Sequence, residues 1–352
     1  MAPSPLKTLF WNITYACNYR CGVCFTASGA RKNGELTTGE CMDVVENAHS
    51  AGIDDIVISG GEPFMRKDLG DVLCRMAELG MAARIASNGT LLTEKILDRL
   101  KRDTLTRSFQ ISLDTVDEGL YDTFHQSPEG SQRAALDALA LIRERGFHTT
   151  VSVRLTPETL DGIPGLLDLA SEKGWATVTV HWPLHAGRSD GVFPQDADVL
   201  TLLSPAFEHF FALPRHWLIE TYIPWAQYHP VVRRLRNRGK WAHLGCSAGR
   251  RLLAINPTGM ISPCVCMDAP QTYIGNARTD DLNEVFRKSP ICEMMRHPQE
   301  HGICAECANV ATCGGGCRAA ALALTGRLDG QDKACPIWQR RASRKAANKN
   351  AA

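Results

Sequence analysis

Short apolar runs alternate with longer amphipathic stretches from residue 7 to about residue 181. The runs have the length and composition of buried strands, and the stretches between them repeat apolar residues at helical spacing. The six predicted strands are Thr8–Thr14, Asp55–Ser59, Ala82–Ala86, Arg107–Leu113, His148–Arg154 and Thr177–His181. The five predicted helices are Thr38–Ala51, Asp68–Leu79, Thr93–Arg102, Ser131–Arg145 and Asp161–Lys173.

Glycines mark the ends of four of these helices. Gly52, Gly80, Gly146 and Gly174 each stand where a C-terminal cap is expected. The alternation of strands and helices predicts an α/β fold with a parallel sheet. Six repeats are too few to close an eight-stranded barrel, so we predict a partial (β/α)6 TIM-like barrel with an open side. In such barrels the chemistry gathers at the C-terminal ends of the strands.

The repeating pattern stops near residue 190. We predict a partial barrel at residues 1–189, a bridging segment at 190–245, a cysteine-rich domain at 246–338 and a basic flexible tail at 339–352. The bridging segment is rich in proline and aromatic residues, which predicts a helical part that packs on the barrel. The tail has no acidic residue, and we interpret it as a solvated chain end rather than a nucleic-acid-binding arm.

Composition excludes several classes of function. A net charge of +1 over 352 residues favours neither nucleic acid nor a membrane surface as a partner. No apolar run approaches the length of a membrane span, and the N-terminus lacks the apolar region of a signal peptide. We therefore expect a cytoplasmic protein that binds neither nucleic acid nor membranes.

Fourteen cysteines are many for a cytoplasmic chain. Disulfides are disfavoured in that compartment, so the number indicates metal or redox chemistry. Five cysteines lie at or before Cys74, and nine lie from Cys246 to Cys335, with none between. This clustering predicts two metal-binding regions. Cys41, Cys74 and Cys292 lie on amphipathic stretches and are expected to be small core residues.

The first region places Cys17, Cys21 and Cys24 directly after the first predicted strand, with the spacing C-x3-C-x2-C. Thiolates in so short a loop can surround one metal centre, and soft sulfur ligands select zinc, copper(I) or iron–sulfur clusters. A closed site takes four ligands. Three thiols therefore leave one metal position open, where a substrate or cofactor can bind.

This loop resembles that of the radical S-adenosylmethionine (SAM) enzymes. Their signature is C-x3-C-x2-C after the first barrel strand, with an aromatic residue beside the third cysteine, here Phe25. The resemblance implies that Cys17, Cys21 and Cys24 hold a 4Fe–4S cluster whose fourth iron binds SAM.

The turn after the second strand contains Gly60, Gly61, Glu62 and Pro63. Two glycines allow a backbone to approach a ligand closely, and the proline stiffens the exit. Alone, the turn is an ordinary strand-to-helix connection. After the cysteine loop it resembles the GGEP motif of the family, which implies that it holds the amino group of SAM's methionine.

Polar residues also follow the next three strands. By the resemblance, Ser87 and Asn88 after the third strand help to place SAM. Asp114 after the fourth is our candidate for a substrate-facing acid or base, with a turn cap as the alternative. Arg154 ends the fifth, where its guanidinium can grip a carboxylate of SAM or substrate, or form a surface salt bridge.

The sixth strand leads into a segment with His181, His185 and Arg188. These side chains suit an anionic or ring-bearing substrate, although they also fit an ordinary polar loop. Related enzymes have a similar Gly-Arg pair here, so Arg188 is a second catalytic candidate.

The second cysteine region has regular spacings. Its members are Cys246, Cys264, Cys304, Cys307, Cys313, Cys317 and Cys335. Such an array indicates bound metal, and zinc is one candidate because C-x2-C is also a zinc-binding spacing.

The array resembles the SPASM domain, which carries two auxiliary 4Fe–4S clusters. The likeness includes Gly275-Asn276 and the glycines 314–316. It implies an outer cluster on Cys304, Cys307, Cys313 and Cys335 and an inner cluster on Cys246, Cys264 and Cys317. The fourth inner ligand stays open. Sulfatase-maturating relatives have a cysteine where this chain has Leu252, and Cys266 is a candidate that the common pattern lacks.

The resemblance covers nearly the whole chain and implies a reaction. SAM is cleaved reductively to a 5′-deoxyadenosyl radical, which takes hydrogen from an unactivated C–H bond. Auxiliary clusters favour net oxidation by desaturation, decarboxylation or cross-linking, whereas a redox-neutral outcome needs a hydrogen donor. The segments 246–250 and 324–330 resemble the mycofactocin and pyrroloquinoline quinone maturases, which implies a precursor peptide as substrate in natural-product or cofactor biosynthesis.

Two alternatives remain. The cysteine loop begins at residue 17, so we expect no N-terminal domain that recognises a leader peptide. This disfavours a peptide substrate unless a separate recognition protein delivers it. The same chemistry on a nucleoside, aminosugar or tetrapyrrole intermediate is the first alternative. A non-enzymatic iron–sulfur or zinc carrier is the second, but a carrier does not need Gly60, Gly61 and Glu62. For the enzyme we expect an electron donor such as flavodoxin or ferredoxin.

Overall fold

A computed structural model describes residues 6–181, 186–189, 199–213, 218–221, 241–243, 246–300, 302–332, 335 and 337–339. Within these residues eleven strands form one sheet, in the order β11-β10-β9-β1-β2-β3-β4-β5-β6-β7-β8. The strands, β1 to β11 in chain order, are Thr8–Asn12, Asp55–Ser59, Ala82–Ser87, Thr106–Ser112, His148–Arg154, Thr177–His181, Leu218–Thr221, Trp241–His243, Leu252–Ile255, Met260–Ser262 and Gly275–Asn276.

Helices connect most of the strands. The described helices, α1 to α12, are Thr38–Ser50, Leu69–Glu78, Glu94–Asp103, Glu118–His125, Ser131–Glu144, Pro157–Leu160, Ile163–Lys173, Val199–Ala212, Leu282–Lys288, Pro290–Arg296, Val310–Cys313 and Arg318–Thr325. Short 3-10 turns lie at Pro63–Met65, Gly187–Ser189, Pro270–Thr272, Pro298–Glu300 and Gly302–Glu306.

The predicted α/β fold is confirmed, and β1 to β6 pair in parallel in chain order. Parallel strands covered on both faces are rich in β-branched residues, as in β6, where valine and threonine alternate and all residues except His181 are buried. The first strand ends at Asn12, two residues earlier than predicted. The chain leaves the sheet there because the Thr14 hydroxyl and the Tyr15 N–H both bind the buried Glu35 carboxylate, each at 2.9 Å.

The sheet extends beyond the six predicted strands on both sides. On one side β7 and β8 add to β6 in parallel. The predicted helical part of the bridging segment is α8, which packs on α7 and buries Phe207 and Phe210. On the other side β9, from the cysteine-rich region, pairs in parallel with β1, with Thr8 opposite Leu252 and Trp11 opposite Ile255. Both regions therefore share one sheet.

Among the described residues, no helix has the length and apolar character required to cross a membrane.

Candidate functional site

The first cysteine loop follows β1 and folds back on itself. The Cys17 N–H donates to the Gly29 carbonyl at 2.7 Å, and the Gly29 N–H donates to the Tyr15 carbonyl at 2.9 Å. Backbone N–H groups also point at sulfurs: Tyr19 donates to Cys17 Sγ and Ser28 to Cys24 Sγ, each at 3.4 Å. The loop thus presents three partly exposed thiols, two of them with N–H donors.

The three thiols differ in acidity. Burial raises the pKa of Cys17 to about 11 and, helped by the neighbouring Cys24, that of Cys21 to about 12. Burial would also raise the pKa of Cys24, but hydrogen bonds from Thr26 and Ser28 outweigh it and lower that pKa. A metal centre binds thiolates, so loading this loop must displace protons from Cys17 and Cys21.

The turn after β2 lies directly against the base of this loop. The Gly61 N–H donates to the Thr14 carbonyl at 2.7 Å, and the Glu62 N–H to the Ala16 carbonyl at 2.8 Å. A Cβ atom on Gly61 would stand 2.2 Å from the Ala16 oxygen, and one on Gly60 would stand 2.6 Å from the Thr14 oxygen. Only glycine fits at either position, because any side chain would push the turn away from the loop.

The Glu62 carboxylate is hydrogen-bonded to Ser87 and Asn88, two other residues predicted to bind SAM. This fully buried carboxylate accepts hydrogen bonds from Ser87 Oγ at 2.9 Å, the Asn88 N–H at 2.8 Å and the Phe64 N–H at 3.2 Å. Burial nevertheless raises its pKa to about 7. Pro63 begins the 3-10 turn that follows. Asn88 Nδ2 in turn donates to Asn18 Oδ1 in the cysteine loop at 2.8 Å.

Two arginines that were predicted as site residues donate hydrogen bonds to carbonyl groups of the cysteine loop. Arg188 donates from Nε to the Cys21 oxygen at 2.8 Å and from Nη1 to the Ser28 oxygen at 3.0 Å. Arg154 donates from Nη1 to the Val23 oxygen at 2.6 Å, and its guanidinium lies 5.5 Å from the centre of the Phe25 ring. Both cations are therefore engaged with the loop itself.

Asp114 is buried at the end of β4, beside a histidine that sequence reasoning missed. One carboxylate oxygen accepts the Arg154 N–H. The other lies 3.0 Å from His125 Nε2, although the angle there is not that of a hydrogen bond. His125 Nδ1 lies 3.2 Å from Cys21 Sγ. The spacing of Leu120, Tyr121 and Phe124 after Asp117 is the helical signal that would have found this segment.

His181 lies near the same groups. Burial, followed by the Arg154 guanidinium, lowers its pKa to about 3, so its imidazole is neutral at ordinary pH. Its Nε2 lies 3.2 Å from Gln110 Nε2. His185, predicted to lie beside it, falls outside the described residues.

The thiols predicted for the outer cluster come together. Cys304, Cys307, Cys313 and Cys335 line one cavity, with Asp332 and Arg318 on its wall. Asp332 Oδ2 also accepts the Cys317 N–H at 2.9 Å, at the start of α12. The cavity wall is thus joined to the inner set of thiols.

The inner set contains Cys246, Cys264 and Cys317, and Cys266 lies with them. All four pack on one small apolar cluster, whose buried members are Ala248, Met267, Met295 and Ala319. The Cys266 N–H lies 3.5 Å from Cys264 Sγ, and a hydrogen bond between the two thiols raises the pKa of Cys266. The positive charge of Arg154 opposes that rise in the pKa of Cys266. Leu252 instead begins β9.

A polar tether joins the two cysteine regions. Asp268 accepts hydrogen bonds from the hydroxyls of Tyr15 and Tyr273, each at 2.8 Å, and from Asn256 Nδ2 at 2.7 Å. Tyr15 lies two residues before Cys17, and Asp268 lies two residues after Cys266. The positions of the first loop and the inner set are therefore coupled.

The donor chemistry suits iron–sulfur clusters. All the candidate ligands are thiols, and several sulfurs accept backbone N–H groups, which is typical of cluster surroundings. Across the described ranges, no group of three or more His, Cys, Asp or Glu side chains has an arrangement for a single metal ion.

Comparison with known proteins agrees with this chemistry. Residues 11–170 match the Radical SAM superfamily, and residues 246–308 match an iron–sulfur cluster-binding domain, SPASM. The second match decides between zinc and iron–sulfur clusters for the second region in favour of clusters.

Relatives match over most of the chain. A mycofactocin maturase of Mycobacterium ulcerans is 29% identical over 93% of this chain and 87% of its own length. An AdoMet-dependent heme synthase of Methanosarcina barkeri is 26% identical over 91% of this chain and 93% of its own length. The fold is similar to that of Streptococcus suis SuiB bound to its precursor peptide SuiA, with a TM-score of 0.73 at 18% identity, covering 95% of this chain and 77% of that one.

Proposed function

This chain is an enzyme with a radical SAM domain and a SPASM domain, and from that premise we propose that it oxidatively modifies a precursor peptide. The modification is a desaturation, decarboxylation or cross-link made during natural-product or cofactor biosynthesis. One observation carries the proposal: the 2.8 Å hydrogen bond from Tyr15 to Asp268 ties the first cysteine loop to the segment that carries the inner thiols Cys264 and Cys266. A substrate bound between the first cysteine loop and the inner thiols lies between the site that removes its hydrogen atom and a cluster site that can accept its electron.

The first loop and the turns beside it hold the radical-generating cofactors in this proposal. Cys17, Cys21 and Cys24 hold a 4Fe–4S cluster. When bound there, SAM is cleaved reductively to a 5′-deoxyadenosyl radical that takes a hydrogen atom from the substrate, and auxiliary clusters offer a sink for the electron that an oxidised substrate loses. The Glu62 carboxylate binds the ammonium of SAM's methionine, because a buried anion gains most from a cationic partner.

The remaining predicted SAM residues support that carboxylate. Gly60 and Gly61 bring the turn against the loop, and Pro63 fixes its exit. Ser87 and Asn88 orient the Glu62 carboxylate through the two hydrogen bonds that they donate. Arg154, Asp114 and Arg188 position the loop: the two arginines hold its carbonyls, and Asp114 accepts the Arg154 N–H.

Eight cysteines hold the two auxiliary clusters in this proposal. The outer cluster takes Cys304, Cys307, Cys313 and Cys335. The inner cluster takes Cys246, Cys264, Cys317 and also Cys266, because all four thiols of this inner set pack on one apolar cluster.

A thiol-protection experiment tests the role of Cys266. In the reconstituted enzyme Cys266 should resist alkylation by iodoacetamide, and Cys266→Ala should change the spectrum or iron content of the inner cluster. Cys292→Ala is the control, because Cys292 is buried outside both sets. Rapid alkylation of Cys266 in the fully loaded enzyme would show that the inner cluster has no fourth cysteine.

Anaerobic reconstitution tests the enzyme as a whole. About twelve irons per chain should fall to about eight in the triple variant Cys17/Cys21/Cys24→Ala, as three clusters of four irons require. With dithionite and SAM the wild type should form 5′-deoxyadenosine, and the triple variant should not. Lack of 5′-deoxyadenosine from the loaded wild type would contradict the radical function.

A small metabolite is the second candidate substrate, favoured by the likeness to the heme synthase. An anionic metabolite is less well supported, since His181 is neutral and Arg188 is engaged with the loop. Deuterium transfer to 5′-deoxyadenosine separates the candidates. Transfer from a labelled precursor peptide, with its recognition protein if one exists, supports the first candidate, and transfer from a labelled tetrapyrrole, nucleoside or aminosugar supports the second.

We also propose a cytoplasmic enzyme that takes its electron from a small reducing protein such as flavodoxin or ferredoxin. Replacing dithionite with reduced flavodoxin or ferredoxin should sustain 5′-deoxyadenosine formation.

A further inference from the structure

We propose that His125 donates a hydrogen bond to the sulfur of Cys21 and thereby sets the reduction potential of the first 4Fe–4S cluster. The proposal rests on the proposed role of Cys21 as a ligand of that cluster. His125 Nδ1 lies 3.2 Å from Cys21 Sγ, and the residue is only 3% exposed. Among the residues that the structure describes, Cys21 is the one cysteine of the loop whose sulfur contacts a histidine ring.

The ring is held in place by aromatic neighbours. Its centre lies 4.2 Å from that of Tyr121, 5.2 Å from that of Phe124 and 5.7 Å from that of Tyr19. Tyr121 and Tyr19 are themselves fully buried. The imidazole therefore cannot swing away from the sulfur without disrupting this packing.

The backbone fixes the same contact. The Arg20 N–H donates to the His125 carbonyl at 3.2 Å, and the Gly22 N–H donates to the Phe124 carbonyl at 3.3 Å. These bonds join the end of α4 to the loop on both sides of Cys21. Helix and loop consequently move as one unit, so the distance between ring and sulfur is set by the fold.

The partners of the ring determine its role. Once Cys21 is a thiolate, Nδ1 faces a hydrogen-bond acceptor, and Nε2 faces the Asp114 carboxylate at 3.0 Å. An N–H on Nδ1 supplies the hydrogen bond to that sulfur. A hydrogen bond to a ligand sulfur stabilises the reduced cluster, which carries more negative charge, and so raises the reduction potential. Asp114 lies beside the ring at Nε2, on the nitrogen that does not face the sulfur.

A redox titration of the reconstituted enzyme, followed by electron paramagnetic resonance (EPR), tests the proposal. The signal to follow is the one that changes when SAM is added, because only the cluster with an open iron responds. His125→Phe keeps the ring packing and removes the donor, so the midpoint potential should become more negative. His125→Asn keeps an amide donor near the position of Nδ1 and should stay near the wild-type potential.

The control is His209→Phe, since His209 also pairs with an aspartate, at 2.7 Å from Asp168, but lies on α8. It should leave the potential unchanged. A wild-type midpoint in loaded His125→Phe would overturn the proposal. The potential is measured without substrate, so it does not depend on which substrate the enzyme uses. If the EPR signal of the first cluster did not change on addition of SAM, the proposed function itself would be refuted.

A measurement on the wild type covers the case in which His125→Phe fails to load. Protein labelled with ¹⁵N-histidine should show a weak nitrogen coupling to the reduced first cluster in pulsed EPR, and His125→Asn should lose it. Absence of that coupling in the wild type would overturn the proposal whatever the variants do.

Discussion

Single residues carry much of the information about this site, and Glu62 is the clearest case. The side chain has no exposed surface, yet it is a carboxylate, and it accepts three hydrogen bonds from neutral donors. Desolvation outweighs those three bonds, which is why its pKa rises to about 7. A buried carboxylate of this kind suits a cationic ligand, and its protonation can be measured in the protein without that ligand.

Glu62 should make the stability of the SAM-free protein depend on pH. Its folded pKa of about 7 lies above the ordinary glutamic acid value of 4.5, so the folded state binds the proton more tightly. The contribution of Glu62 to stability is therefore fully present below about pH 4.5 and falls as pH rises to about 7, by on the order of 3 kcal/mol. Denaturant titrations of the reconstituted protein should show this fall, and Glu62→Gln should lack it. Parallel pH profiles for the two proteins would contradict the assignment.

Gly61 tests the close approach between turn and loop. Gly61→Ala places a Cβ against the Ala16 carbonyl and should cost more than about 3 kcal/mol, or prevent loading of the first cluster. Gly39→Ala is the matched control: Gly39 has open space around it on α1, so alanine should stabilise by roughly 0.5–1 kcal/mol. Melting temperature and iron content measure both effects, and equal results for the two variants would refute the steric account.

The site residues that could be predicted best from the sequence are those that belong to short motifs. The cysteine spacings and the Gly-Gly-Glu-Pro turn are short patterns, and the structure brings Glu62, Ser87 and Asn88 together. Contacts between residues far apart in the chain are not marked by any short motif in the sequence. Arg188 holds the loop from 167 positions away and Arg154 from 131, and neither partner can be read from neighbouring residues.

At the scale of elements, the six strands were predictable because each is a short run in which apolar and β-branched residues recur and which ends at a polar or glycine-containing turn. Among the elements that were not predicted, two bear directly on the first cysteine loop. Helix α4 is short and contains Gly119, which weakens its periodicity. Strand β9 has four residues inside a region dominated by cysteines, and only its pairing with β1 identifies it as part of the main sheet.

Helix α4 should control the mobility of the cysteine loop. Asp117 caps it by accepting the Leu120 N–H at 2.7 Å, so Asp117→Ala should cost about 1 kcal/mol. Because α4 accepts the Arg20 and Gly22 N–H groups, these amides should also exchange hydrogen faster.

Thr93→Ala provides the comparison, since Thr93 caps α3 in the same way through the Ile96 N–H. It should lower stability similarly and leave exchange in the loop unchanged. Hydrogen exchange followed by mass spectrometry distinguishes the two. If both variants loosen the loop equally, α4 has no special role there.

At the scale of the whole molecule, the two regions predicted as separate share one sheet. Strand β1 leads into the first cysteine loop and is covered by β2 on one side and β9 on the other. The tether from Tyr15 to Asp268 joins the regions again next to the thiols.

Truncation tests whether the barrel strands need β9 of the cysteine-rich region to form a stable sheet. A chain ending at residue 245 lacks β9, so β1 becomes an exposed edge with unpaired backbone groups, which promotes aggregation. We expect the fragment to be insoluble or to melt well below the full chain, and not to load the first cluster. A soluble fragment with an unchanged melting temperature and four irons would show that the barrel is independent.

The place of β9 beside β1 also sets an order of events during synthesis on the ribosome. Residues 252–255 are the partner of residues 8–11, so the first strand waits for most of the chain to be made. At about 5–20 residues per second, that delay is on the order of tens of seconds. The first cysteine loop therefore gains its final support only after β9 has emerged. Cluster insertion into a finished site is consequently a late step, and a ribosome that stalls early releases a chain in which that site is incomplete.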